Sequence, residues 1–272
     1  TIQMSDDTEV LQEVVVTALG IKREKKALGY AIQEVKGESL VEARETNLAN
    51  ALSGKISGVQ VIRSSNGPGG SSKIQLRGAN SVTGTNQPLI VVDGVPMDNF
   101  TGADNADFYN PSLDMGNGLS DINPEDIESM SVLTGAAAAA LYGSDAANGA
   151  IIITTKKGKE GRVNITVNSN VEFNAPLVMP RFQTRYGTGI GGVKDDNSSR
   201  SWGPKLTEAR YFGYNPRDDY FQTGVIGTES VSFSTGSEKN QTYASAAAVN
   251  SKGIVPNNKY DRYNFNVRNT TS

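Results

Sequence analysis

From position 162 onward the apolar residues fall on alternate positions. In RVNITVNSNVEFN they are Val163, Ile165, Val167, Val171 and Phe173, with polar residues between them. This period of two persists for about eleven residues, near the length that a tilted strand needs to cross a bilayer. ESVSFSTGSEKNQTYASAAAVNSKG predicts two more strands around the turn GSEKN. Val231 and Phe233 stand before the turn, and Tyr243 and Val249 after it. YDRYNFNVRN repeats the alternation with Tyr263, Phe265 and Val267. Strands of a soluble sandwich average about five or six residues. Longer strands with one polar face favour a barrel around a wet lumen. The three or four strands evident here are too few to close, so the chain is expected to be part of something larger.

Before Lys159 the pattern is different and predicts a compact α+β domain. LGYAIQEV is a short strand candidate. Leu48, Ala51, Leu52, Ile56 and Val59 have roughly helical spacing, broken by Gly54 and Gly58. SKIQLRG alternates Ile74 and Leu76 with Gln75 and Arg77, as a half-buried strand does. The apolar run Leu89–Val92 ends at the turn signal Asp93-Gly94. INPEDIESM predicts a helix start, with Asn123 as N-cap, Pro124 at the first position, and Glu125 and Asp126 on the positive end of the dipole. SVLTG predicts a strand, AAAAALYG a helix stopped by Gly143 and packed closely against the sheet, and GAIIITTKKG a closing core strand.

At the N-terminus, LQEVVVTALG contains the strong strand formers Val14, Val15 and Val16, extended by Thr17. The acidic TIQMSDDTEV precedes it and the charged, flexible IKREKK follows, so no local partner strand is expected. A lone strand leaves its backbone groups unpaired. It pairs either within a preceding domain or with another protein.

Composition narrows the chemistry. The 272 residues include no Cys and no His. Disulfides, thiolate or His-ligated metal sites and His-based nucleophile systems are therefore excluded. A net charge of −3 offers no basic face for nucleic acid. No apolar run reaches the roughly 18 residues of a transmembrane helix, which does not exclude a β-barrel. The N-terminus has no signal-peptide pattern, so an export signal is expected to lie outside this sequence. We expect no enzymatic activity, cofactor or metal. A hydrolase built on two of Asp93, Asp98, Asp104 and Asp107 needs a carboxyl spacing that a sequence does not reveal.

Several stretches, taken in order, resemble one family. They are LQEVVVTALGIKR, NLANALSGKISGVQV, SSKIQLRGANS, PLIVVDGVP, INPEDIESMSVLTGAAAAALYGSDAANGAIIITTKKGK, and RYGTGIGG followed by SWGP. Together they are similar to the SusC/RagA-type TonB-dependent outer-membrane transporters. The resemblance implies an α+β plug domain followed by the first antiparallel strands of a large transmembrane β-barrel. Residues 1–10 resemble the tail of an N-terminal extension domain, 11–26 the TonB box and its linker, 27–160 the plug, and 161–272 the start of the barrel. Leu11, Gln12, Glu13, Val14, Val15, Val16 and Thr17 would form the box to which the periplasmic TonB domain adds a strand. The family also implies a SusD-like surface lipoprotein, a Gram-negative outer membrane of the Bacteroidota type, and a glycan or oligopeptide substrate. The alternative from another class is a soluble secreted glycan-binding or adhesin-like β-rich module.

Three other features have competing readings. GTGIGG satisfies a GxGxxG pattern without the flanking strand and helix of a dinucleotide site, so a loop is expected. Arg77 is expected to anchor a buried ion pair rather than to touch ligand. The long irregular segment Met97–Asp121 is either a solvated cover or a functional loop. In the functional case Phe100, Phe108 and Tyr109 would stack on a sugar ring while Asp104, Asn105 and Asp107 bind hydroxyls. Calcium is a third occupant, although EF-hand spacing is not met.

Overall fold

The computed structural model describes residues 14–16, 22–24, 32–42, 45–64, 67–79, 81, 86–99, 114, 116–179, 183–206 and 219–271. The strands in chain order begin with β1 (Val14–Val16), β2 (Lys22–Glu24), β3 (Ile32–Lys36), β4 (Val59–Arg63) and β5 (Ser72–Leu76). They continue with β6 (Leu89–Val92), β7 (Val95–Met97), β8 (Ile127–Leu133), β9 (Ala150–Thr155) and β10 (Gly161–Asn174). The last five are β11 (Gly189–Ile190), β12 (Val193–Lys194), β13 (Gly224–Gly236), β14 (Asn240–Lys252) and β15 (Lys259–Thr271). The α-helices are α1 (Gly37–Glu42), α2 (Leu48–Ala51) and α3 (Gly135–Tyr142).

A mixed five-stranded sheet, in the order β3-β8-β9-β6-β7, organises the first half. Only β6 and β9 run parallel, pairing Leu89 with Ala150 and Val92 with Ile153. Both faces of this sheet are covered, which explains why β9 reads as an unbroken apolar run rather than an alternating one. Ile90, Met130, Val132, Ile151 and Ile153 pack on one side with Leu40, Leu48, Leu52, Ile74 and Leu76. Val91, Leu133, Ala150 and Ile152 pack with Ile32, Ala138 and Ala146 in a second cluster. Ala138 is the buried residue of α3, so the alanine run approaches the sheet along one face only.

Four expectations change. β1 is not alone: it pairs antiparallel with β2, Val14 opposite Glu24, Val15 opposite Arg23 and Val16 opposite Lys22. Half of the supposed flexible linker is therefore strand, because unpaired backbone so near in sequence is an available partner. Val59 begins a strand rather than ending a helix. Gly54 and Gly58, at φ 75° and 78°, turn the chain so that β4 pairs along β5. Asn123 does cap a turn, its side-chain oxygen accepting from the Glu125 amide at 3.2 Å, but that turn is a single 3-10 turn, Pro124–Asp126. Ile127 is already in β8, paired with Thr155 of β9, because that sheet pairing outweighs helix propensity. GTGIGG is not wholly loop, since β11 and β12 make a two-pair hairpin there.

The long strands β10, β13, β14 and β15 form a second sheet in that order. They contain 14, 13, 13 and 13 residues, well beyond soluble-sandwich length. Only residues 237–239 separate β13 from β14, so that pair is antiparallel. By contact, the chain divides into two compact units. One comprises residues 1–170, 227–250 and 260–272, and the other residues 171–226 and 251–259.

Candidate functional site

The long sheet separates two environments residue by residue. On β15, Tyr263, Phe265 and Val267 are exposed, Phe265 to 82%. The even-numbered residues between them turn inward, and Arg262 is only 8% exposed. On β10, Val163, Ile165, Val167, Val171 and Phe173 are all exposed; the alternate residues Asn168, Asn170, Glu172 and Asn174 are half-buried, while Asn164 and Thr166 are exposed as well. On β14 the alternation alone leaves the face of the apolar residues open. Tyr243 and Val249 do not join the outer apolar band but are buried, Tyr243 at 3% exposure. Tyr243 faces the first domain, its hydroxyl donating to the Asp126 carboxylate at 2.9 Å.

The inward side chains form a seam with the first domain. At one position on β15 the Tyr260 ring lies over Gly69, where any side chain would collide with it. Arg262 donates to the main-chain carbonyls of Thr46, at 2.9 Å, and Ser120. Asn264 donates to the Asp121 carbonyl at 2.6 Å. Arg268 donates to the Asp93 carboxylate at 2.7 Å and to the Thr155 hydroxyl at 2.6 Å. Elsewhere in the same sheet, Asn168 on β10 donates to Glu125 at 3.2 Å, and Ser234 on β13 accepts from the Lys159 amide at 3.1 Å. No sequence signal pairs these residues across the seam: Asp93, Glu125 and Asp126 read as turn and helix-start residues. The usable signal was the polar identity of every second residue in YDRYNFNVRN.

Asp93 has two jobs. It sits in the β6–β7 turn with φ 49°, in the left-handed region that aspartate tolerates better than most residues. Its carboxylate also accepts from the Thr155 amide at 3.0 Å and the Thr155 hydroxyl at 2.6 Å. Burial pushes this carboxyl up, but hydrogen bonds from the Thr155 and Arg268 side chains and the Thr155 amide, with the Arg268 charge, hold it below the ordinary value. Asp114 behaves similarly: burial opposes ionisation, while the Ser64 hydroxyl and the Gly116 and Ser71 donors lower the net value.

A pH prediction follows from these two groups. Both folded-state values lie below the unfolded value of about 3.9, so their stabilisation is present above that pH. It is lost as pH falls through the lower folded values. With no histidine in the chain, hydrogen-exchange protection of β6 and β9 should stay flat from roughly pH 9 to 5 and decline below about pH 4. A decline centred near pH 6 contradicts this assignment.

The expected site residues are distributed unevenly. Val14, Val15 and Val16 lie in β1; Leu11, Gln12, Glu13 and Thr17 are outside the described residues. So are Phe100, Asp104, Asn105, Asp107, Phe108 and Tyr109. The stem of their segment is described, and an amide network ties it down. Asn47 donates to Asn117 at 2.7 Å, and Asn117 donates to Asn99 at 3.2 Å. Asp114 gathers the Ser71 amide and hydroxyl, both at 3.1 Å, and the Gly116 amide at 3.0 Å. Arg77 is exposed and makes no ion pair among the described residues, contrary to the expected buried anchor. It occupies a turn at φ 58°, its amide donating to the Gly58 carbonyl at 2.9 Å, which directs the side chain out of the core. No group of three or more His, Cys, Asp or Glu among the described residues forms a metal cluster.

A globular α+β domain held against the inner face of long strands with an apolar outer face defines a class. Residues 24–150 match the family model of the TonB-dependent receptor plug domain. The chain is 36% identical over 265 residues to the TonB-dependent receptor SusC of Bacteroides thetaiotaomicron, covering 97% of this chain and 25% of that protein. It is 32% identical over 266 residues to the TonB-dependent receptor P39 of Formosa agariphila, covering 96% and 24%. Among solved structures it superposes on the RagAB peptide importer in its open-open state with a TM-score of 0.70. The identity there is 25%, over 94% of this chain and 30% of that one. The chain belongs to the SusC/RagA-type TonB-dependent transporters, carrying the plug and the opening antiparallel strands of the barrel. It spans about a quarter of the length of the curated relatives it matches.

Proposed function

We propose that the protein carrying this chain imports a bulky nutrient across a Gram-negative outer membrane, with energy supplied through TonB. The observation that carries this reading is the two-faced sheet. An apolar band fits lipid outside, and a polar inner face grips the plug by contacts that water can replace. Residues 11–17 are the TonB box in this reading and residues 18–26 its linker. Residues 27–160 are the plug, and 161–272 open the barrel. TonB adds a strand to β1 and pulls, so the plug rearranges and substrate passes. A SusD-like surface lipoprotein captures the substrate. A glycan or oligosaccharide is the favoured cargo, and an oligopeptide the variation that the RagAB importer suggests. Phe100, Asp104, Asn105, Asp107, Phe108 and Tyr109 are the proposed substrate contacts. No catalytic step is assigned to the protein.

The test is an intact denatured mass on detergent-extracted native material, with identification of the chains that co-purify. It is paired with uptake in energised and uncoupled cells. A mass several times 28.9 kDa, a stoichiometric lipoprotein and uptake lost on uncoupling are the expected results. A water-soluble species with no dependence on membrane energy overturns the reading.

A further inference from the structure

We propose that Arg268 is a gating residue: through Asp93 it holds the plug closed at the end of the barrel that faces TonB, and it releases when the plug is pulled. The proposal rests on the transporter reading above. Its location comes from the strand connections. Residues 237–239 make the short turn between β13 and β14, whereas residues 175–223 separate β10 from β13. Bacterial barrels place short turns on the periplasmic side and long loops outside. Asn269, next to Arg268, donates to the Asn240 side chain at 2.9 Å, and Asn240 opens β14 just after that short turn. Arg268 is therefore at the periplasmic end.

The contact is built to open. Asp93 and Thr155 belong to the plug and remain bonded to each other without the barrel residue, the Thr155 hydroxyl donating at 2.6 Å. Removing Arg268 thus leaves the turn intact and takes away only its tie to the wall. The side chains of Arg268 and Asp93 are 25% and 29% exposed, so water can resolvate both charges as they part. Arg262, farther along the same face, differs in kind: it is buried and grips two main-chain carbonyls rather than a carboxylate. A wettable ion pair at the pulled end and a buried guanidinium gripping main-chain carbonyls beyond it would make the plug yield first at Arg268.

The test uses the whole protein in planar bilayers with potassium chloride as the permeant salt and urea to loosen the plug. Arg268→Ala is expected to raise open probability roughly tenfold at a given urea concentration, as loss of one charge-assisted contact predicts. Arg268→Lys should restore much of the parent behaviour, and barrel melting should not change in either variant. Raising the salt to about 1 M should move the parent toward Arg268→Ala, because an accessible ion pair is screened. A short bis-maleimide bridge in Asp93→Cys/Arg268→Cys should block urea-gated current and TonB-dependent uptake alike. Identical urea responses for parent and Arg268→Ala, or full uptake by the bridged protein, overturn the proposal. If the protein shows no TonB-dependent uptake at all, the transport reading fails, whereas the urea and salt differences still decide the latch.

Discussion

Val15→Pro is expected to abolish energised uptake, with a loss of roughly two orders of magnitude or more, while the protein still inserts and binds its ligand. Strand addition works through main-chain hydrogen bonds, with alternate side chains setting the register. Proline removes the central N–H of the three-residue strand and cannot join a ladder from a central position. Val15 lies opposite Arg23 in the local hairpin, between the Val14–Glu24 and Val16–Lys22 pairs. An isolated two-stranded ladder of this length is marginal in water, so it offers TonB little competition. On the proposed reading, TonB would add to the other edge of β1 or displace β2. Each bond contributes only about 0.5–1.5 kcal/mol net, but a strand pulled lengthwise must break several together. The measurement is calorimetric binding of the periplasmic TonB domain, alongside uptake in cells. Normal uptake by Val15→Pro would place the box elsewhere.

Phe265→Arg is expected to cost about 2–4 kcal/mol and to prevent efficient barrel assembly, the penalty for a basic residue near the bilayer midplane. Phe265 lies at the centre of β15 and is 82% exposed. In a water-soluble sheet, an arginine there would be neutral or would improve solubility. The same substitution therefore separates the transporter from a secreted adhesin. Asn266→Arg, one residue along and on the polar inner face, should cost clearly less because it does not place the charge in lipid. Urea unfolding in lipid vesicles reads both. Equal, small effects at the two positions would remove the membrane from the account.

Much of this arrangement is local and could be read from residue order. Alternation in β10 and β15 assigned Val163, Ile165, Val167, Phe265 and their neighbours to one face, because side chains on a strand must point to opposite sides in turn. The Asp93-Gly94 turn and the Gly143 helix stop followed from backbone conformations that few residues adopt. Family motifs carried the plug assignment, which rests on many residues in order.

Only the tertiary structure decided the rest. Tyr243 and Val249 could be placed in a strand but not on a face; the structure buries both, and Tyr243 bonds to Asp126 of the plug. Periodicity says which residues share a face, and only the packed neighbour says which face is which. β2 looked like linker because its charged residues lack strand propensity; its pairing with β1 comes from backbone hydrogen bonds that side-chain identity hardly reports. Ile127 left its capped turn for β8 because pairing with Thr155 of β9 outweighed the helix signal. The seam was invisible for the same reason. Asp93 and Arg268 stand 175 positions apart in sequence, and no local rule pairs a turn aspartate with an arginine on a distant strand. What residue order determined was each element's period and punctuation. What folding decided was which polar side chains meet, since long-range contact depends on where the elements pack.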